Sequence, residues 1–137
     1  MSSSAENMRW LVKGVSAVTQ LRAGTNELVT FDSFIEYHEG VKIQINDKCD
    51  IIIYDRQYDE KGVCQQFYFH CWMKKGGKVG SHRHDYIEEF ELSTGKIMDL
   101  LTDTVIDPDN PFTFHSGVSH EMMCMENAFM TIKAVRV

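Results

Sequence analysis

The stretch Gly76–Gly95, GGKVGSHRHDYIEEFELSTG, carries the strongest structural signal in this chain. It contains two histidines one residue apart, His82 and His84, followed by two adjacent glutamates. Because side chains alternate between the two faces of a strand, these two imidazoles point the same way. Together with a carboxylate from the glutamates they supply three ligands of a metal site. The later stretch His115–His120, HSGVSH, offers a fourth ligand.

Length and composition indicate one globular domain of 137 residues, 43% of them hydrophobic. The formal charge of −6 argues against a nucleic-acid partner, because domains that bind nucleic acids carry a clustered basic face. No apolar run approaches the roughly 20 residues of a membrane span, so we expect no membrane partner. The N-terminus lacks a basic segment followed by an apolar one, and the four cysteines form no CxxC pair. We therefore expect a cytoplasmic protein with reduced thiols.

The first 40 residues are predicted to form a helical extension that packs on a domain of residues 41–137. Apolar side chains recur at helical spacing over residues 1–24, and Gly24 is a suitable helix end. Residues 25–40 fit two structures, a strand or a short capped helix, and the sequence does not choose between them.

Strand patterns dominate from Val41 onward. Apolar and polar residues alternate over short segments, with turn signals every 8–12 residues, which is typical of an all-β sandwich or barrel. The segment 65–73 is bulky on both faces, with Tyr68, His70 and Trp72 on one face and apolar side chains on the other. Bulk on both faces predicts burial on both sides.

The spacing within the histidine stretch resembles the first motif of the cupin superfamily, a group of small metal-binding jelly-roll barrels. That motif runs Gly, five residues, His-x-His, three or four residues, Glu, six residues, Gly. The last interval selects Glu88 rather than Glu89 as the acidic ligand, and strand alternation agrees, since Glu88 and Phe90 share a face. Five residues satisfy every interval: Gly76, His82, His84, Glu88 and Gly95.

The second cupin motif is only partly present. It runs Gly, five residues, Pro-x-Gly, two residues, His, three residues, Asn, and three of its five positions hold Asp109, His115 and Cys124 instead. The retained spacing Gly117-x-x-His120 places His120 as the fourth ligand. The resemblance covers residues 41 to 137, so the fold that it implies is an all-β cupin-type jelly-roll barrel with an N-terminal helical segment.

The resemblance implies a divalent metal held by three imidazoles and one carboxylate, a set compatible with Fe, Mn, Ni, Co, Cu or Zn. Four protein ligands leave coordination positions open, as in catalytic sites. We expect a metal-dependent enzyme acting on a small organic substrate, with a dioxygenase or other oxidoreductase favoured. The alternatives are a lyase or isomerase, or a non-catalytic cupin that binds or senses a small ligand or metal. Single-domain cupins commonly pair, which implies a homodimer.

Other polar and aromatic side chains are candidates for roles around the metal. His70 is a candidate acid–base group, Tyr86 a group at the pocket mouth, and Cys124 a thiol near the metal. For each there is a structural alternative: a hydrogen-bonded structural histidine, an exposed turn tyrosine and an inert core cysteine. No arginine falls at an obviously inward strand position, which favours a small, partly apolar substrate. The predicted pocket walls are Tyr68, Trp72, Phe90 and Met122.

Overall fold

A computed structural model of the chain describes residues 17–137, most of which lie in strands. Neither helix in this part is long and apolar enough to cross a membrane. In chain order the elements are α1 (Ala17–Ala23), β1 (Thr25–Val29), α2 (Phe31–Ile35), β2 (Lys42–Asn46), β3 (Cys49–Tyr58), β4 (Cys64–Met73), β5 (Lys78–His84), β6 (Tyr86–Asp99), β7 (Thr104–Ile106), β8 (Phe112–Phe114) and β9 (His120–Arg136).

The strands form one curled, barrel-like sheet that is organised around the long strand β9. The sheet runs in the order β1-β5-β9-β4-β3-β2, and β6 pairs with β9, β7 and β8. Only β1 and β5 are parallel among the described pairs. Because β4, β5 and β6 all pair with β9, their inward side chains meet inside one curved surface. The predicted all-β class is confirmed.

The N-terminal segment contains both structures that the sequence left open. Residues 25–29 form β1, which joins the sheet beside β5, and residues 31–35 form α2. The predicted first helix is present as α1 over Ala17–Ala23, and its earlier part lies outside the described residues. The division of the chain at residue 41 stays a prediction, although a strand from before that position completes the sheet.

Helix α2 is fixed to the barrel by polar contacts and by aromatic packing. Arg136, at the end of β9, forms an ion pair with Asp32 at 2.7 Å, and its guanidinium lies 4.5 Å from the centre of the Phe31 ring. The backbone N–H of Phe31 donates to Asp85, the residue between β5 and β6, at 2.8 Å. Phe31 and Phe34 are buried. These contacts hold α2 where β5 turns into β6.

Strand β4 has one buried face and one partly exposed face. Phe67 and Phe69 are buried, whereas Tyr68 and His70 are partly exposed and Trp72 is 42% exposed. The expectation that both faces are buried is therefore wrong. The outer face carries stacked rings that shield one another, which explains how bulky residues remain near solvent. The rings of this outer cluster belong to Tyr54, Tyr68, His70, Trp72 and Phe129.

Gly95 allows β6 to bend against β9. Its φ is +85°, and a Cβ built there would lie 2.6 Å from the Cα of Ala128. The pairing of β6 with β9 shifts register on either side of this position, between Leu92 and Ile97. Any larger residue would meet backbone that cannot move away. The glycine at the end of the first cupin motif therefore has a steric basis in this chain.

Candidate metal centre

Three strands bring the four predicted ligands to one place. His82 in β5 lies directly opposite His120 in β9, and His84 follows His82 on the same face. After a turn at Asp85, β6 returns Glu88 to the same interior. Two strands fix the histidines and a third supplies the carboxylate.

The ligand atoms of His82, His84, Glu88 and His120 all lie within 4.8 Å of one another, and all four residues are buried. His84 Nε2 is 3.2 Å from His120 Nε2 and 2.7 Å from Glu88 Oε1. Glu88 Oε1 is 3.5 Å from His120 Nε2. Ligands that share one metal at about 2.0–2.2 Å lie about 3–4 Å from each other. The donor set therefore fits a single transition-metal ion.

The protonation state of His82 suits a metal ligand. Its Nδ1 lies 2.6 Å from the carbonyl oxygen of Gly80, which can only accept, so Nδ1 is the donor and Nε2 keeps its lone pair. Burial, with the neighbouring His120 and His84, lowers the pKa of His82 to about 3. The imidazole is therefore neutral near pH 7.

The carboxyl of Glu88 is ionised and lacks a full set of partners. Burial raises the pKa of Glu88, but the Coulombic attraction of His84, with contributions from His120, outweighs it and holds the pKa well below its usual range. Glu88 Oε1 makes no regular hydrogen bond among the described residues, although His84 Nε2 lies 2.7 Å from it. A buried carboxylate oxygen in this state is stabilised by a cation.

Tyr86 lies beside the carboxylate rather than in an exposed turn. It is fully buried, its ring centroid is 4.5 Å from that of His84, and its hydroxyl lies 3.5 Å from Glu88 Oε2, towards which it donates. Burial, and then the charge of Glu88, raise the pKa of Tyr86 well above its ordinary value, so the hydroxyl keeps its proton. The expectation of an exposed turn tyrosine is wrong, and a catalytic role for Tyr86 stays a prediction.

Two contacts outside the cluster hold the histidine backbones. The N–H of Gly117 donates to the carbonyl oxygen of His84 at 2.7 Å, which ties the retained second-motif turn to β5. The buried carboxylate of Asp99 accepts from the N–H of Glu121, next to His120, at 3.0 Å. The ring of Phe114 stacks on His120 with centroids 4.2 Å apart.

The cluster forms one wall of a small, mostly apolar cavity of about 50 Å³. Phe90 and Met122, both predicted as pocket walls, line it. Leu21 from α1 and Phe34 from α2 also line it, so the N-terminal segment closes one side of the cavity. No lysine or arginine lines the cavity within the described residues.

The other predicted site residues lie elsewhere. Tyr68 and Trp72 do not line this cavity, because they point to the outer face of β4, and their assignment as pocket walls is corrected accordingly. His70 lies on the same outer face, stacked on Tyr54 with centroids 4.2 Å apart and with Nδ1 3.4 Å from Thr131 Oγ1. The structure does not bring His70 to the histidine cluster.

Cys124 is buried but also does not line the cavity. Its thiol donates to the carbonyl oxygen of Glu126 at 2.9 Å. Two thiols that sequence reasoning left unassigned, Cys49 and Cys71, line the cavity instead. Strand alternation could have predicted that both thiols face inward. Cys71 shares a face with the buried phenylalanines of β4, and Asp50, next to Cys49, pairs with Trp72 on the outer face.

No protein-family model and no curated protein matches this chain, whereas solved structures do. KdgF from a Halomonas species matches with a TM-score of 0.58 at 10% identity, covering 71% of this chain and 87% of that protein. An RmlC-like cupin from Shewanella frigidimarina matches with a TM-score of 0.57 at 12% identity, covering 74% of this chain and 91% of that protein. An acetylacetone dioxygenase from Acinetobacter johnsonii matches with a TM-score of 0.54 at 14% identity, covering 73% of each chain. At identities this low the likeness concerns the fold alone.

Proposed function

Because the chain has the cupin fold, we propose that it is a metal-dependent enzyme acting on a small organic substrate, with dioxygenase or related oxidoreductase chemistry. The observation that carries this proposal is the convergence of His82, His84, Glu88 and His120 on one point inside the barrel. The likeness to a dioxygenase supports the choice of reaction class and nothing more specific.

The donor set suits a divalent transition metal, which would supply Lewis-acid or oxygen-activating chemistry when bound. The chain's own part is to keep His82 neutral and oriented through Gly80, and to keep Glu88 ionised. Tyr86 donates towards the second carboxylate oxygen and so restricts the rotation of Glu88. The apolar walls exclude water, which strengthens every electrostatic interaction at the cluster.

The walls also restrict the substrate. With no lysine or arginine along the cavity in the described residues, nothing on the protein balances a phosphate or several carboxylates. We propose a small, largely apolar substrate whose polar atoms bind at the open metal positions.

Elemental analysis of the purified protein tests the metal. We expect about one first-row metal per chain in the wild type, and loss of that metal in His82→Ala and in His120→Ala. His70→Ala is the matched control, since it removes an imidazole from the outer face and should keep the metal. If the folded wild type holds no metal and takes none up, or if His70→Ala loses it equally, the proposal fails. If iron is found, an oxygen-consumption assay with small diketones as probes then tests the reaction class.

The size of the cavity favours a second candidate, a non-catalytic cupin that binds or senses a metal. At about 50 Å³ the cavity is well below the roughly 150 Å³ of an apolar cavity that holds benzene. A substrate larger than a few atoms would need one wall to move. A protein that binds its metal tightly but shows no turnover with any small substrate would support this second candidate.

Other expectations remain proposals with their own measurements. Zinc or nickel in place of iron would favour a lyase or isomerase over a dioxygenase. Sedimentation at several protein concentrations tests the predicted homodimer. Fractionation of the cells that produce the protein tests the predicted cytoplasmic location.

A further inference from the structure

A pair of buried thiols lies inside the same cavity, outside the histidine cluster. Cys49 Sγ and Cys71 Sγ are 3.6 Å apart, and both residues are buried. They come from neighbouring strands, β3 and β4, and both line the cavity. Neither belongs to the group of ligand atoms that lie within 4.8 Å of one another around Glu88. The proposed metal-dependent function uses neither of them.

Each of these thiols faces a methionine across the sheet. Cys49 is the direct cross-strand partner of Met73, and Cys71 is the direct cross-strand partner of Met130 in β9. Side chains of directly opposed residues have Cβ atoms about 4.5–5.5 Å apart, so each methionine side chain starts from the same face of the sheet as its cysteine. Met73 and Met130 both line the cavity. The two cysteines in contact and the two methionines paired with them thus line one cavity, and we call these four residues the sulfur patch.

We propose that this sulfur patch, Cys49, Cys71, Met73 and Met130, is a second metal site that binds a soft monovalent cation, Cu(I). Thiolate and thioether sulfur are the ligands that Cu(I) prefers over imidazole and carboxylate sites. On binding, Cu(I) replaces the proton of one thiol, and that proton leaves to solvent. The product is a thiolate–Cu(I) pair with no net charge, supported by the second thiol and the thioethers.

The charge balance explains why a monovalent ion fits this wall. Burial of an uncompensated charge in an apolar cavity is costly, and no lysine or arginine in the described part of the chain lines this one. A divalent ion bound by one thiolate would leave a net positive charge. A divalent ion bound by two thiolates would require that both buried thiols lose their protons. Cu(I) on a single thiolate avoids both costs.

The test is a competition titration of the full chain with Cu(I), under anaerobic conditions, against bicinchoninate as a coloured Cu(I) chelator. We expect one Cu(I) per chain bound at the sulfur patch, with a thiolate-to-Cu(I) absorption band in the near ultraviolet. Cys71→Ser and Cys49→Ser should each weaken binding at least about tenfold, because even outer-shell partners change metal affinity about 10–100-fold. The double variant Met73→Leu/Met130→Leu conserves volume, so we expect it to fold, and it should also weaken binding.

Two controls separate this site from the other ligands of the chain. Cys64→Ser removes a buried thiol that does not line the cavity, and His120→Asn removes a ligand of the histidine cluster. Both should keep Cu(I) affinity within about twofold of wild type. The proposal is overturned if Cys71→Ser and the double methionine variant bind Cu(I) as wild type does. It is equally overturned if His120→Asn abolishes Cu(I) binding, since the ion then belongs to the histidine cluster.

Discussion

Replacement of Gly95 by alanine tests the packing that sets the course of β6. Gly95 has a φ of +85°, and its added Cβ would meet the Cα of Ala128 at 2.6 Å. Left-handed backbone costs an alanine about 1–2 kcal/mol, and overpacking against neighbours that cannot move costs about 1–3 kcal/mol more. We therefore expect Gly95→Ala to lower the free energy of unfolding by about 2–5 kcal/mol, a large share of the stability of a small domain.

Gly62 provides the matched control for this prediction. Its φ of +80° is close to that of Gly95, but no atom lies within 4 Å of the Cβ that alanine would add. Gly62→Ala should therefore show the backbone cost alone, about 1–2 kcal/mol. The difference between the two variants isolates the steric contact with the backbone of Asn127 and Ala128.

Urea unfolding followed by circular dichroism measures both variants, with the slope compared to confirm that the denatured states are alike. Glu88 lies on the same strand, so metal affinity should also fall in Gly95→Ala and stay unchanged in Gly62→Ala. Equal unfolding free energies for Gly95→Ala and Gly62→Ala would refute the steric argument, and with it the explanation of the glycine at this position.

Three further changes test the surroundings of the cluster. Acidification should destabilise the metal-free protein from about pH 6.5 down to about pH 3, because the unfolded chain takes up a proton at His82 that the folded state refuses. Urea unfolding should show that the free energy of unfolding falls by up to about 1.4 kcal/mol per pH unit in this range. His82→Asn should flatten this pH dependence, and an unchanged pH dependence would contradict the assignment of the proton uptake to His82. Tyr86→Phe removes a long hydrogen bond to Glu88 and should weaken metal binding by about tenfold or less in a chelator titration. Wild-type affinity in that variant would show that Tyr86 does not orient Glu88. Asp99→Asn should lower the free energy of unfolding by about 1–3 kcal/mol and weaken metal binding through His120. Thermal unfolding with and without metal measures both effects. A loss of stability with unchanged metal affinity would show that Asp99 does not position His120.

The ligand set was predictable partly from local geometry and partly from the resemblance to the cupin motifs. His82 and His84 share a face through strand alternation, and the same alternation selects buried Glu88 over exposed Glu89. The all-β class followed from many short alternating segments, and the structural neighbours confirm the cupin fold. Alternation extends over only a few residues, which is why it was sufficient for His82, His84 and Glu88. His120 lies in the distant strand β9, and the resemblance to the second cupin motif placed it.

The walls of the site were harder to predict because they depend on register between distant strands. Which face of β4 points inward is set by its pairing with β3 and β9, and the wrong face was chosen for Tyr68 and Trp72. The contact between Cys49 and Cys71 needs the same long-range register. An exposed turn was expected between His84 and Glu88, but the chain turns from β5 to β6 at Asp85 alone. Tyr86 is therefore already the first residue of β6, and it is buried.

Within residues 17–137, two helical residues line the cavity, Leu21 and Phe34, and both lie outside the histidine motifs. Part of the wall that decides what fits beside a metal is thus encoded apart from the groups that would hold the metal. Substitutions in residues 17–35 can change the shape of the chamber without touching a ligand. A chain built in this way can acquire a new ligand preference through its N-terminal segment while its metal chemistry stays the same.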